Sequence, residues 1–286
     1  MIVSGGAPAV PASVAQHYNA LDRHYREIWG EHVHHGLWVR GSETPKEAVE
    51  ALVHRVAKVA ALHAEERVLD VGCGYGGTAR LLSEAYGVSV EGITLSARQH
   101  EYAVAKAAES PGANVRYHLG DWLESNFPPA SFDVVLAVES MTHMPSLKGA
   151  IERAYKVLRP GGRFVACVWL AAEDAGPLSQ KYLLQPICRE GGLTGLPTAS
   201  ALTAVATEVG FITAAPAEDL SRKVRHTWTV TIQRGLQRLI TDKELRAFMF
   251  DDQQSERVFA ATMFRIWLAM HAGSMRYGLF SFRKPQ

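Results

Sequence analysis

The chain has 286 residues, 47% of them apolar and 21% charged, and its formal net charge is +1. That balance fits an ordinary globular protein and gives no electrostatic reason to expect nucleic acid or an anionic membrane as partner. Its three cysteines, Cys73, Cys167 and Cys188, are far apart and odd in number, which argues against a disulfide framework or a thiolate zinc site.

The opening residues, MIVSGGAPAVPAS, lack the basic start and long apolar stretch of a secretory signal. No apolar run reaches the roughly 18 residues of a membrane span, so a cytoplasmic protein is expected. Residues 1–12, rich in Gly, Ala and Pro, read as a flexible tail. From Ser13 to about Trp29, Val14, Tyr18, Leu21, Tyr25 and Ile28 recur at helical spacing. Thr44 before Pro45 starts a second helix, with Val49, Leu52, Val53, Val56 and Val59 on its apolar side. These two helices make residues 13–62 an N-terminal helical segment.

The rhythm then changes. RVLDV is a short strand, GCGYGG a turn and TARLLSEAY a helix; VSVEGI and SARQHEYAVAKAAE repeat the alternation. VRYHL, FDVVLAV and RFVACVWL add strands, with the helix SLKGAIERAYKVL before the RPGG turn. Such alternation predicts an α/β fold, a doubly wound parallel sheet with helices on both faces, over residues 63–170. Residues 171–286 complete it: helices near 178–190 and 198–209, the strand-like GFITAAPAEDL, a helical region over roughly 228–270 and a final strand in MRYGLFSFRKP.

In VLDVGCGYGG, Gly72, Gly74 and Gly77 satisfy GxGxxG, a nucleotide-binding pattern that is weak by itself. Asp70, just before the turn, is more informative. A pyrophosphate would be repelled there, whereas a ligand with an ammonium group would be attracted. S-adenosylmethionine carries an ammonium and a sulfonium and no phosphate. A strand-end aspartate that ties down neighbouring amides is the structural alternative.

With VLDVGCGYGG, GITLS, HLGDWLE and LRPGGRFV in place, the chain from about Tyr18 onward resembles the class I S-adenosylmethionine-dependent methyltransferases, in particular the tocopherol C-methyltransferase-like small-molecule enzymes. The resemblance implies a Rossmann-like seven-stranded sheet with its last strand antiparallel, an N-terminal helical lid, and a helical insert at about 222–272 before the last strand. It implies S-adenosylmethionine as cofactor and S-adenosylhomocysteine as product. Many relatives end the second strand with an acid for the ribose hydroxyls, but this chain has Thr94, and Glu91 falls three positions early. The departure matches the subgroup that presents Thr94, Leu95 and Gln99 to the cofactor. Asp121 and Trp122, after Gly120, match the adenine-binding motif; apart from the resemblance they read equally as a capping aspartate and a core tryptophan. The resemblance further implies cofactor contacts from Gly72, Cys73, Gly74, Trp38 and Tyr18, the last through its hydroxyl to the methionine carboxylate.

The fourth strand runs out into AVESMTHMP, placing Glu139 and His143 where ligands bind in such sheets. An unperturbed imidazole suits a general base, and Glu139 can hold a cation, polarise a hydroxyl or orient a histidine; both also have structural readings as packed loop residues. WGEHVHHGLW holds three histidines and two tryptophans, and metal site, aromatic core or active-site wall are the choices. Adjacent His34 and His35 do not readily converge on one ion and no HExxH is present, so no metal is expected. By resemblance this stretch closes the site, with His35 joining Glu139 and His143 as a catalytic candidate.

Trp228, Phe248, Met249, Phe250, Phe259, Met263, Phe264, Trp267 and Met270 stripe the insert. They are core in the main, with the remainder lining an apolar pocket. The expected activity is C-methylation of an electron-rich aromatic, indolic or prenyl carbon of a small hydrophobic acceptor in secondary metabolism. N-methylation of an amine and a non-catalytic S-adenosylmethionine-binding regulator are the alternatives. A monomer or homodimer is expected.

Overall fold

The computed structural model describes residues 1–5, 11–20, 22, 26, 30–241 and 258–286, the side chains of 11–13, 17, 20 and 258–260 excepted. Ile2–Val3 forms a short strand, β1, antiparallel to β7, Leu196–Pro197. Val3 is buried against the core. Within the stretch read as a flexible tail over 1–12, backbone pairing and an apolar side chain place Ile2 and Val3 on the core. Helix α1, Pro11–Ala20, follows. Leu21, Tyr25, Ile28 and Trp29 lie outside the described residues.

Helix α2, Pro45–Val59, begins as the sequence predicts. The Thr44 hydroxyl accepts the Glu47 N–H, Glu47 returns a bond to the Thr44 backbone, and Pro45 fills the first turn. Its Leu52, Val53 and Val56 are buried against the sheet.

The main sheet contains β2 (Arg67–Val71), β3 (Ser89–Thr94), β4 (Val115–Leu119), β5 (Phe132–Val138), β6 (Leu158–Ala171), β8 (Ile212–Asp219) and β9 (Met275–Arg283), in the order β4-β3-β2-β5-β6-β9-β8. Strands β2 to β6 pair in parallel, and β9 runs antiparallel to both β6 and β8. This is the expected seven-stranded sheet with its last strand reversed. Helices α3 (Gly77–Tyr86), α4 (Ala97–Ala108), α5 (Leu147–Val157) and α6 (Ala199–Val209) connect the strands. Ser96 and Ser146 cap α4 and α5 through their hydroxyls.

Alternation along β5 shows how the layers form. Val134 and Leu136 enter one core with α2 and α3, while Val135 and Ala137 enter the other with α5 and α6. Each fully buried Val or Leu contributes about 1.5–3 kcal/mol. Strand order reverses between β2 and β5, which opens a crevice beyond their carboxyl ends.

The helical region expected over roughly 228–270 is α7, His226–Thr241, and α8, Val258–His271. Phe248, Met249 and Phe250 lie outside the described residues, as does the Phe259 side chain. Among the described residues no helix is long and apolar enough to cross a membrane.

Candidate active site

The crevice is floored by the turn between β2 and α3. Gly72, Gly74 and Gly76 all have positive φ, which only glycine adopts without strain. They are required for different reasons. A Cβ on Gly72 would sit 2.3 Å from that of Ser140 and one on Gly76 would meet Tyr117, whereas one on Gly74 would meet nothing closer than Gln99 at 4.0 Å. Gly74 is therefore the bare floor. Gly77, the third glycine of the pattern, makes room for the N-terminal segment, since a Cβ there would lie 2.9 Å from the Glu31 carbonyl.

Above that floor is a cavity of about 800 Å³. Thr94, Leu95 and Gln99 line one side, with the Thr94 hydroxyl donating to Gln99 Oε1 at 2.9 Å. Gly120, Asp121 and Trp122 line another. Both readings of the last pair hold locally: Asp121 accepts the Leu123 N–H at 2.8 Å and the buried Trp122 donates to the Ala150 carbonyl at 3.2 Å, while both face the cavity. Tyr18, Glu139 and His143 close the third side.

Three expected contacts sit elsewhere. Cys73 turns its side chain toward Gly92, where an added Cβ would meet its sulfur at 2.8 Å. Trp38 donates to the Thr227 hydroxyl at 2.9 Å and packs on His226, away from the cavity. Asp70 is buried on β2, outside the lining, and no hydrogen bond reaches its Oδ2. Burial without donors raises its pKa to about 7.

Glu139 follows the last residue of β5 with a φ of +60°, unusual for a side-chain-bearing residue. Its carboxylate accepts the His35 backbone N–H at 2.7 Å, the His35 ring N–H at 2.9 Å, the Trp169 indole at 2.9 Å and the Tyr277 hydroxyl at 2.7 Å. Burial pushes its pKa up, but the His35 ring and these donors outweigh that and hold it down to about 2. The carboxylate is therefore a fixed anion and a poor base. Trp169 and Tyr277 are opposed residues in the β6–β9 ladder, so both point at Glu139. Sequence reading missed them, although a tryptophan at the carboxyl end of the fifth core strand was the available signal.

The three histidines of WGEHVHHGLW do different work. His35 Nδ1 holds Glu139, and its buried Nε2 has no hydrogen-bond partner among rings of Trp169 and Trp228, each 5.4 Å away. His34 donates to the His35 carbonyl at 2.9 Å and accepts from Thr78, while burial lowers the His32 pKa to about 3. Among the described residues no cluster is placed to hold a metal ion. His35 lines neither this cavity nor the next; it reaches the site through Glu139.

The N-terminal segment is anchored on the core. Glu31 pairs with Arg80 and accepts from Tyr102 at 2.9 Å, Asn19 accepts from the Ser96 hydroxyl at 2.7 Å, and Asp22 accepts from Tyr75 at 2.9 Å. This seats Tyr18 with its hydroxyl 3.2 Å from His143 Nε2.

A second cavity, of about 570 Å³, shares Tyr18, Val33, Glu139 and His143 with the first. Its remaining wall is largely apolar: Trp169, Ile187, Leu193, Trp228 and Ile266, with His34, Gly191 and Thr262. Met263, Phe264, Trp267 and Met270 are not among these residues, so of the described stripe Trp228 is the aromatic that lines it.

A family described as a methyltransferase domain matches residues 68–162. The chain is 32% identical over 277 residues to 27-O-demethylrifamycin SV methyltransferase of Amycolatopsis mediterranei, covering 96% of this chain and 98% of the relative. Shorter matches reach plant tocopherol O-methyltransferases and fungal sterol 24-C-methyltransferases, and the chain spans only 43–57% of their length. Among solved structures, the [4+2]-cyclase SpnF superposes with a TM-score of 0.80 at 25% identity, covering 98% of this chain and 97% of that one. Mycolic acid cyclopropane synthase CmaA1, complexed with S-adenosylhomocysteine, superposes at 0.84 with 20% identity, covering 97% and 99%. Glycine floor, strand order and a full-length relative agree: the chain belongs to the class I S-adenosylmethionine-dependent methyltransferases.

Proposed function

We propose that the protein methylates an electron-rich carbon of a largely apolar small molecule held in the second cavity, in the biosynthesis of a secondary metabolite. The observation that carries this reading is Glu139, an ionised carboxylate where the two cavities meet, flanked by aromatic faces.

The first cavity fits the cofactor. Gly74 offers a surface that any Cβ would fill, and Thr94, Gln99 and Asp121 offer polar edges. The buried, unpartnered oxygen of Asp70 calls for a positive charge nearby. Bound S-adenosylmethionine supplies a sulfonium methyl group and that charge. Asp70 then acts from behind the turn as a counter-charge.

Attack by carbon leaves the acceptor positively charged with one proton in excess. The Glu139 anion and the Trp169 and Trp228 faces stabilise positive charge there. His143, at the junction, takes the proton. The N-terminal segment, reading as a lid, keeps water out and the reactants aligned.

The test is incubation with carbon-13 methyl-labelled S-adenosylmethionine and a panel of phenols, indoles, prenylated compounds, amines, a tocopherol, a sterol and 27-O-demethylrifamycin SV. Label on carbon supports the proposal. A second reading, O-methylation of a hydroxyl, is favoured by the nearly full-length rifamycin relative and by His143 as base; label on oxygen selects it. Tight cofactor binding without transfer to any panel member would instead favour chemistry of the kind named for the [4+2]-cyclase.

A further inference from the structure

Tyr75 lies inside the glycine turn, between Gly74 and Gly76, yet it is fully buried and does not line the first cavity. Both its ends are bonded. Its hydroxyl donates to Asp22 at 2.9 Å, and its backbone carbonyl accepts from Arg80 Nη1 at 3.0 Å. Arg80, on α3 and itself buried, gives its other terminal nitrogen to Glu31. The second oxygen of Glu31 accepts the Tyr102 hydroxyl at 2.9 Å, and the Tyr102 ring meets Tyr75 edge-on with centroids 5.4 Å apart. Tyr75, Arg80, Glu31 and Tyr102 thus close a ring of contacts. The guanidinium that holds the cavity floor also holds the N-terminal segment. That segment roofs the first cavity, since Val14, Tyr18 and Val33 line it from that side. Asn19 and Asp22 fasten the roof after Tyr18, and Glu31 fastens it just before Val33.

We propose that the Arg80–Glu31 pair is a latch on the cofactor cavity: the roof opens by separating this pair, and that separation sets the rate at which S-adenosylhomocysteine leaves. Arg80 is a positioning residue. It lines neither cavity and acts through Tyr75 on the floor and through Glu31 on the roof. The two sides of the pair differ in a way that suits a latch. The Glu31 side chain is 41% exposed, so salt screens it and loosens the pair. The Arg80 side chain is only 7% exposed, so opening leaves a buried cation without its carboxylate and favours reclosing. This inference rests on reading the first cavity as the cofactor's.

The test is release of tritium-labelled S-adenosylhomocysteine from the full chain, chased with excess unlabelled ligand from about 0.05 to about 0.5 M sodium chloride. Glu31→Gln, which removes the charge and keeps the shape, should release the ligand about ten-fold faster. Wild-type release should speed up with salt, and release from Glu31→Gln should respond far less. Tyr102→Phe keeps the charge and removes one bond, so its release should be a few-fold faster with the salt response intact. A purely structural role would lower the melting temperature and leave release unchanged. Release from Glu31→Gln at the wild-type rate at every salt concentration would overturn the proposal. If Glu31→Gln does not fold, a wild-type rate in Tyr102→Phe overturns it instead. Gly120→Leu separates the latch from the cavity assignment, because a Cβ on this cavity-lining glycine meets nothing closer than Ile93 at 3.9 Å and a larger side chain fills the space. Retained affinity in Gly120→Leu would overturn the assignment and the latch with it. Lost affinity there, beside unchanged release in Glu31→Gln, would overturn the latch alone.

Discussion

Asp70 lies near the end of β2 and Glu139 just past the end of the neighbouring β5, both are buried, and their surroundings push them in opposite directions. Asp70 has an oxygen with no donor, and burial raises its pKa to about 7. Glu139 has four donors from three elements and is held down to about 2. Burial is common to both, so the donors make the difference. A carboxylate that the protein has already satisfied serves as a permanent anion. One left unsatisfied is a position where a ligand's positive charge has most to contribute.

The largest expected effect comes from removing the permanent anion. Glu139→Gln should lower turnover by about 100-fold or more, with S-adenosylhomocysteine affinity by calorimetry changed far less. It should also lower the melting temperature, because a hydrogen bond to a charged group is worth about 1.5–3 kcal/mol and the substitution removes the charge that four buried donors hold. Equal losses in turnover and affinity would move Glu139 into the cofactor site. Next is Asp70→Asn, which should weaken S-adenosylmethionine binding about ten-fold or more, on the scale of about 1.5–3 kcal/mol for a hydrogen bond to a charged group. Unchanged affinity would make Asp70 a purely structural residue.

A smaller effect separates the two carboxylates by pH. Below its pKa of about 7, Asp70 is neutral, so cofactor affinity should rise several-fold from about pH 6 to about pH 8, and the rise should vanish in Asp70→Asn. The stability signs are opposite. Asp70 has a raised folded pKa, so its contribution is complete below about pH 4 and declines as pH rises toward about 7. Glu139 has a depressed one, so its contribution is present above about pH 4 and is lost as pH falls toward about 2. Chemical denaturation of the two variants across that range would reveal the crossing slopes. The smallest change is Tyr277→Phe, which removes one donor from Glu139. A loss of about 1 kcal/mol predicts roughly five-fold slower turnover, and no loss would mean that the remaining donors suffice.

The same contrast explains what the sequence could reveal. The first cavity is built from successive strand ends, so Gly72, Gly74, Thr94, Gln99, Asp121 and Trp122 appear as local motifs with fixed offsets. The Thr44–Pro45 helix start and the strand alternation were legible for the same reason. The cage around Glu139 was not, because Trp169 and Tyr277 meet only through the antiparallel pairing of β6 with β9. Motif adjacency says less about side-chain direction: Cys73 sits between two cavity glycines in the turn but its side chain lies against Gly92, and Trp38 ends a histidine-rich stretch but binds Thr227. Asp70 was singled out by its charge, while its lack of donors belongs to the packing. Pairing with β7 gave the opening residues an order that their small, flexible composition concealed.

The most direct measurement is a pH titration of the side-chain carboxyl carbons of Asp70 and Glu139 by NMR, before and after saturation with S-adenosylhomocysteine, whose ammonium supplies the positive charge. Asp70 should titrate near pH 7 alone and at least one unit lower when saturated, while Glu139 stays ionised down to about pH 2 in both. An Asp70 midpoint that the ligand leaves in place, or a Glu139 that titrates like an ordinary glutamate, would contradict the division of roles between the two carboxylates.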